Sequence, residues 1–200
     1  MISSYLQILE RRYDTLFDDA AKRYFTYAKD GAQRMSAMIR GILDYSKVGN
    51  QTPIKEEVET ATALGDALDN LDAKLRERNA KTSADVMPRI RCDRVLVGRL
   101  FQILISNAIK FCEQEPSVRV QVMEREDDWM FSVADNGIGI PPDGYDRLFK
   151  IFERLHPEAK YRGTGIGLAT CKKIVDLHDG RMWVESTVGV GSIFCFSLSK

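Results

Sequence analysis

The first 48 residues carry an apolar repeat that strongly restricts how the chain can fold. Apolar residues recur at alternating steps of three and four, which is the 3.5-residue period of helices packed side by side. Two stripes follow this period, separated by the acidic pair Asp18 and Asp19: Ile2, Leu6, Leu9, Tyr13 and Leu16, then Phe25, Ala28, Ala32, Met35, Ile39, Ile42 and Ser46. The pattern predicts two antiparallel helices joined by a short connection, the second about 28 residues long.

A two-helix hairpin has too little interior to bury both stripes by itself. We therefore expect a second copy of the chain to complete a four-helix bundle, and the alternative is a hairpin that folds onto the rest of the same chain. Gly49 and Pro53 interrupt the helical pattern, and they predict a domain boundary there. The predicted domains are residues 1–50 and 51–200.

Residues 54–200 mix helical and strand patterns. Residues 61–80 have a helical period, residues 92–112 form a second helix with Asp93 as its N-cap, and a third helix runs from the glycine-rich segment to a C-terminal cap at Gly180. Residues 117–125 and 128–136 alternate like two antiparallel strands, and residues 181–199 resemble a terminal hairpin. Three helices over a largely antiparallel sheet predict an α+β layer domain.

Composition excludes several functional classes. The 29 basic and 29 acidic residues give a formal net charge of zero, which argues against a partner that is nucleic acid or an anionic membrane surface. The sequence shows neither a long apolar span nor a signal peptide. The four cysteines have no CxxC spacing and are predicted to be buried small hydrophobes in a reducing compartment. The predicted location is cytoplasmic.

Three motifs indicate a nucleotide site. In "YRGTGIGLA", Gly163, Gly165 and Gly167 alternate at the start of a helix, where backbone amides suit phosphate oxygens; the segment fits neither the dinucleotide fingerprint nor a Walker loop. The alternative is a flexible connector.

In "ADNGIGIPP", Asp135 ends a strand before Gly137 and Gly139. A carboxylate here can accept a hydrogen bond from an exocyclic amine, and the alternative is a plain turn. In "SNAIKF", Asn107 and Lys110 share one face of an apolar helix. An amide oxygen can ligate Mg²⁺ and a lysine can neutralise phosphate, whereas the alternative is a polar edge facing water.

The order of SNAIKF, DNGIGI, LFKIFERLH, GTGIGLA and GVGSIFCFSL resembles the ATP-binding domain of sensor histidine kinases, a fold shared with gyrase, Hsp90 and MutL. The resemblance covers residues 54–200 nearly throughout. The opening hairpin resembles the dimerisation and phosphotransfer domain of the phytochrome-type branch. The resemblance implies an α/β sandwich, with ATP and Mg²⁺ as cofactors, a homodimer through the hairpin, and a response-regulator receiver domain as partner.

Site residues follow from the resemblance, position by position. It implies that Asp135 binds the adenine amino group and that the catalytic residues are Asn107, Lys110 and Arg154. Asn107 would hold Mg²⁺, and Lys110 and Arg154 would lie near the phosphates. The remaining implied residues shape the base pocket, anchor the lid or line the phosphate side: Gly137, Gly139, Phe149, Phe152, Gly163, Thr164, Gly165, Gly167 and Leu168.

Two departures from the family pattern bear on activity. The family's phosphoacceptor histidine would lie just upstream of Met1, and neither His156 nor His178 matches it; both are predicted to be surface or capping residues. We expect an excised fragment of a longer kinase, and the alternative is a natural short protein. Ile103 occupies the position where the family commonly has Asn and the related ATPases have an acid, so no general base is visible for hydrolysis.

These features favour an ATP-binding kinase core that transfers phosphate to a histidine absent from this chain. One alternative is a non-catalytic dimeric adaptor that docks a response regulator. The other is an ATPase, which Ile103 disfavours.

Overall fold

The computed structural model describes residues 2–13, 17–155, 161 and 163–200. The helices are α1 (Ile2–Tyr13), α2 (Asp19–Asn50), α3 (Thr60–Glu77), α4 (Arg94–Lys110) and α5 (Gly167–Leu177), with a 3₁₀ helix at Pro142–Arg147. The strands are β1 (Glu56–Glu59), β2 (Lys81–Ala84), β3 (Arg89–Cys92), β4 (Ser117–Glu124), β5 (Asp128–Asp135), β6 (Met182–Thr187) and β7 (Gly191–Ser199).

The chain divides into two compact units, Met1–Asp44 and Tyr45–Lys200. The division falls inside α2, upstream of the Gly49–Pro53 segment where the sequence predicts it. The last turn of α2 belongs to the second unit because Val48, only 2% exposed, is part of that unit's hydrophobic core. The assignment of a dimerisation hairpin and a catalytic domain to these two parts stays a prediction.

The first unit contains the two helices that the apolar repeat predicts. Asp18 caps α2, since its Oδ1 accepts a hydrogen bond from the Ala21 N–H at 2.7 Å. Lys29 of α2 forms an ion pair with Glu10 of α1 at 2.8 Å. Much of the apolar surface is nevertheless exposed in the single chain, including Ile2, Tyr5, Ile8, Leu9, Tyr24, Tyr27, Met35, Ile39, Ile42 and Leu43.

The second unit is an α/β sandwich, which confirms the predicted α+β class. Its main sheet has the order β2-β4-β5-β7-β6, and α4 and α5 pack against it while α3 packs on α4. Phe101 of α4, Phe131 of β5 and Phe196 of β7 are completely buried. The Phe131 and Phe196 rings stack at 5.1 Å between centroids, and Phe101 meets both edge-on. This aromatic cluster joins helix and sheet layers.

Several predicted local features are present. Asp93 caps α4, with Oδ1 accepting from the Leu96 N–H at 3.1 Å. The β4–β5 hairpin and the β6–β7 hairpin are both antiparallel. The structure adds elements that the sequence pattern does not predict: β2 pairs with β4 in parallel, and β1 pairs with β3 as a separate two-stranded sheet.

The end of α5 differs from the prediction. The helix is capped at His178, and Asp179, rather than Gly180, adopts the left-handed conformation with φ of 58°. The Gly180 N–H donates to the Val175 carbonyl at 3.0 Å, which closes a Schellman motif. Gly180 is required for a different reason, because a Cβ there would collide with the Ser197 carbonyl of β7.

Candidate nucleotide site

One cavity of about 340 Å³ in the second unit brings together most of the site residues that the sequence predicts. This volume lies in the range of small-molecule sites. The predicted residues that line it are Asn107, Lys110, Asp135, Gly139, Arg154, Gly163, Thr164, Gly165, Gly167 and Leu168. They come from the end of α4, from the end of β5 and the loop after it, and from described residues between the 3₁₀ helix and the start of α5. The fold therefore brings together motifs that are far apart in sequence.

Three of the predicted residues do not line the cavity. Gly137 lies just behind Asp135 and donates its N–H to the Asp135 carboxylate at 2.8 Å. Phe149 is partly buried and packs against the hydrophobic core. The Phe152 side chain is 52% exposed, and this residue contributes through its backbone, whose N–H donates to the Gly165 carbonyl at 3.0 Å.

Among the described residues, Asp135 is one of two carboxylates that line the cavity, and it is partly buried. Its Oδ1 accepts two backbone hydrogen bonds, from the Gly137 N–H at 2.8 Å and the Ser192 N–H at 3.2 Å. Burial raises the pKa of Asp135, and these two hydrogen bonds act in the opposite direction. In the described part of the chain Oδ2 has no hydrogen-bond partner, so it is available to a ligand that donates.

The polar face of α4 contributes an amide and an ammonium. Asn107 lines the cavity, and no other described residue forms a hydrogen bond with its carboxamide. The Lys110 Nζ lies 4.4 Å from the centre of the Phe111 ring and close to Gly163. Burial, together with the positive charges of Arg154 and Lys74, lowers the pKa of Lys110 from 10.5 to about 8. An anion in this position would reverse that shift.

Tyr161 connects the segment after β5 to the end of α4. Its ring packs against Phe111 with 5.0 Å between centroids, and its hydroxyl donates to Glu113 Oε1 at 3.2 Å. Its carbonyl accepts from the Arg154 guanidinium at 2.8 Å, which holds Arg154 at the cavity wall. Sequence reasoning missed Tyr161; an aromatic residue two positions before the first glycine was the available signal.

The loop after Asp135 is hydrogen-bonded to Ser186 of β6, the edge strand of the main sheet. The Ile140 N–H donates to the Ser186 hydroxyl at 2.9 Å, and the Tyr145 hydroxyl exchanges hydrogen bonds with the Ser186 backbone. Gly139 has φ of 71°, and a Cβ there would collide with the Thr187 carbonyl. Ser186 and Ser192 were also missed, since their place beside Asp135 depends on strand register.

Residues 92–200 match the model of the family described as histidine kinase-, DNA gyrase B-, and HSP90-like ATPase. The chain belongs to this family. The cavity of this ATPase-family domain lies largely within the matched residues, and Lys74 is the lining residue outside them.

Relatives of this ATPase-family chain confirm the resemblance to sensor histidine kinases. Cyanobacterial phytochrome A from Nostoc sp. (strain PCC 7120) is 43% identical over 198 residues, which cover 98% of this chain and 26% of the relative. The chain thus spans about a quarter of that protein. Full-length ShkA, solved in complex with AMPPNP, aligns with a TM-score of 0.72 and 20% identity over 98% of this chain and 42% of ShkA.

A third similar structure is the histidine kinase ThkA in complex with the response regulator protein TrrA. It aligns with a TM-score of 0.72 and 21% identity over 98% of this chain and 57% of that one. At these identities the two solved structures establish the shared fold alone.

Ile103 lies one helical turn before Asn107 and is partly buried against the core. Its Cγ2 is the closest side-chain neighbour of the Gly167 position, 3.2 Å from where a Cβ would be. An aliphatic side chain at this point packs α4 against the start of α5, and it offers no oxygen or base to a ligand.

Of the chain's two histidines, the structure describes His178. The sequence predicts a surface or capping residue, and His178 occupies the capping position of α5, where it is only 2% exposed. Its Nε2 accepts from the Asp93 N–H at 3.0 Å and its Nδ1 lies 2.8 Å from the Ile174 carbonyl. His156 lies outside the described residues.

The cysteines are buried and free, as predicted. Burial raises the pKa of Cys92 to about 12 and that of Cys195 to about 11, so neither is a reactive thiolate.

Among the described residues, no helix is both long and apolar enough to span a membrane.

Proposed function

We propose that this chain is the ATP-binding catalytic core of a sensor histidine kinase, which transfers the γ-phosphate of ATP to a histidine outside these 200 residues. The observation that carries the proposal is a single cavity that combines a carboxylate with an unused oxygen, a cluster of cations and the glycine-rich start of α5. A nucleoside triphosphate has a matching set of groups, since its base donates hydrogen bonds and its phosphates are anionic.

Asp135 binds the adenine. Its Oδ2 accepts a hydrogen bond from the exocyclic amino group, while Oδ1 stays with the Gly137 and Ser192 amides. The additional donor favours the ionised carboxylate, which compensates for the burial that raises its pKa. Gly139 shapes the loop beside the base, because only a residue without a Cβ fits against the Thr187 carbonyl.

The phosphates lie toward Lys110, Arg154 and the amides of residues 163–167. Phosphoryl transfer depends mainly on positioning and on neutralising negative charge, and these groups supply both. Asn107 fits the role of the Mg²⁺ ligand because its carboxamide lines the cavity without a protein partner among the described residues. One amide oxygen suffices, since Mg²⁺ takes its other ligands from phosphate and water. When bound, the ion neutralises charge on the phosphate oxygens.

Hydrolysis is the less favoured outcome at this site. Ile103 occupies the position that would hold a general base, and its side chain packs against the start of α5. Water therefore has no group at that position to accept its proton. A transfer enzyme benefits from such a site, because ATP is kept for the acceptor.

The acceptor is a histidine that this chain does not provide. Both ring nitrogens of His178 are engaged in buried hydrogen bonds, so His178 cannot attack a phosphate. We propose that a histidine of the family's phosphotransfer helix is the acceptor and that a response-regulator receiver takes the phosphate from it. The likeness to the ThkA complex with TrrA supports this partner.

The helical hairpin is proposed to form a homodimer. The exposed apolar side chains of α1 and α2 include six members of the periodic stripes, and a second hairpin would cover them: Ile2, Leu9, Tyr13, Met35, Ile39 and Ile42. We propose a cytoplasmic location on the basis of the kinase role.

Calorimetric titration with ATP tests the nucleotide site. The wild-type chain is titrated with and without Mg²⁺, beside Asp135→Asn and the control Asp127→Asn, whose side chain lies in the exposed β4–β5 turn. We expect Mg²⁺-assisted binding by the wild type and the control, and strong loss in Asp135→Asn. No binding by the wild type at millimolar ATP would refute the proposal and direct attention to an adaptor role.

Transfer is tested separately. The chain is mixed with radiolabelled ATP and a kinase-dead partner that has an intact phosphotransfer hairpin, and label on the partner's histidine is measured. Arg154→Ala is expected to bind ATP yet lose most of the transfer. Phosphate release without an acceptor that matches the transfer rate would favour the ATPase alternative.

A further inference from the structure

Besides Lys110, Arg154 and Arg147, the cation Lys74 lines the nucleotide cavity, and it belongs to none of the motifs described above. Lys74 lies on α3, and its Nζ is 3.5 Å from the Ser106 hydroxyl of α4, which lines the same cavity. Within the described ranges, no carboxylate pairs with the Lys74 ammonium. Other cations around α3 are paired: Arg76 binds Asp72 at 2.9 Å and Arg94 binds Asp66 at 2.8 Å.

The charges around Lys74 are repulsive in the absence of a ligand. Lys74 and Arg154 both lower the pKa of Lys110, so the three cations are close enough to interact. Two carboxylates line the cavity, and neither pairs with these lysines: Glu153 pairs with Arg147 at 2.7 Å, and Asp135 is bonded to backbone amides. An anion in the cavity would lower the repulsion among these cations.

We propose that Lys74 is a further phosphate-binding residue, which contacts the phosphate chain of the bound nucleotide from α3 while Ser106 steadies its ammonium. The inference rests on the proposed function, since it specifies how that site neutralises its ligand. It assigns part of the phosphate binding to α3, which contains neither the glycine-rich segment nor the SNAIKF motif of α4. Ile103 cannot ligate a metal ion that would neutralise the phosphate charge. Lys74 supplies positive charge to the phosphates instead.

Titrations with ATP and with adenosine at fixed salt test the proposal. Lys74→Gln removes the charge while keeping a similar helix propensity and all but one atom of the side-chain length, and Lys74→Arg keeps the charge. The matched control is Arg76→Gln, a neutralised cation on the same helix that already pairs with Asp72. We expect Lys74→Gln to weaken ATP affinity roughly fivefold, about 1 kcal/mol, with adenosine affinity unchanged. Lys74→Arg should keep most of the affinity.

Salt adds a second readout. Raising the ionic strength should reduce ATP affinity less steeply in Lys74→Gln than in the wild type, because one charge contact is missing. Equal ATP affinity in Lys74→Gln and Arg76→Gln would overturn the proposal, as would an equal loss for ATP and adenosine. If the wild type binds ATP and Lys74→Gln binds it equally well, the role of Lys74 is refuted and the proposed function stands. If the wild type binds no ATP, both the role of Lys74 and the proposed function are refuted.

Discussion

Replacing His178 tests how the two helices that carry the site are joined. The imidazole links the end of α5 to the start of α4, because it accepts the Asp93 N–H and contacts the Ile174 carbonyl. Both hydrogen bonds are made at once only by the neutral ring with its proton on Nδ1. Asp93 in turn caps α4. The junction lies at the ends of these helices that do not line the cavity, so its loss should change stability and not the binding groups.

The size of the effect follows from burial. His178→Ala leaves a buried N–H without an acceptor and removes a ring from a packed junction, which together cost about 3 kcal/mol in the free energy of unfolding. Urea denaturation at pH 8 measures this. Trp129 and Trp183 are the chain's two tryptophans and both lie in the second unit, so their fluorescence reports on the unit that contains His178.

Stability should also depend on pH through this residue. Burial lowers the pKa of His178 below its usual 6.5, and the Lys55 charge adds to this, while the Ile174 hydrogen bond, Asp93 and Asp179 oppose it. The folded state therefore binds fewer protons than the unfolded state just below pH 6.5. The stabilisation is complete above about pH 6.5 and is lost as the pH falls toward the folded pKa, with a slope of at most about 1.4 kcal/mol per pH unit.

His178→Gln isolates this contribution, since the variant keeps the other histidine and a hydrogen-bonding side chain. We expect the free energy of unfolding of the wild type to fall more steeply than that of His178→Gln between pH 6.5 and 5. Parallel curves would refute the reasoning, and so would a His178→Ala variant within about 1 kcal/mol of the wild type at pH 8. ATP affinity of the folded variant should be unchanged.

Three further outcomes are expected. Gly139→Ala should destabilise the protein by about 1–3 kcal/mol and weaken ATP binding, because φ is 71° and the methyl group would collide with the Thr187 carbonyl. Gly65 on α3 has open space around it, so Gly65→Ala should raise the free energy of unfolding by about 0.5–1 kcal/mol in the same denaturation series. ATP affinity should fall as the pH rises above about 8, because Lys110 must then take up a proton to bind phosphate. In Lys110→Met, calorimetry should show no such fall. Ile103→Asn should increase the Mg²⁺-dependent part of ATP binding while lowering the melting temperature, since a polar group replaces a side chain packed on the core.

The features that the sequence predicted correctly depend on neighbours along the chain. The Asp93 cap needs only the next three residues, and the alternation of β4 and β5 is read within each strand. The parallel pairing of β2 with β4 was not predictable in this way. The four residues of β2 are polar or small and fully exposed, and their partners begin at Ser117. The sequence of such a strand shows no hydrophobic alternation, and its backbone pairs with residues that lie far away in the chain.

The same distinction holds in the site. Contiguous motifs predicted Lys110, Asp135 and the glycine-rich segment as site residues, and the structure places all of them at one cavity. Lys74 and Tyr161 have no motif, and they reach the cavity only because α3 packs on α4 and a ring packs on Phe111.

By itself, the sequence predicted the main helices and the two antiparallel hairpins, and it predicted most of the residues that line the cavity. The tertiary structure alone decided which further side chains share the cavity, and whether a single histidine faces water or is buried between two helices. The physical reason is that burial and charge crowding arise from packing between distant segments, which no local pattern records.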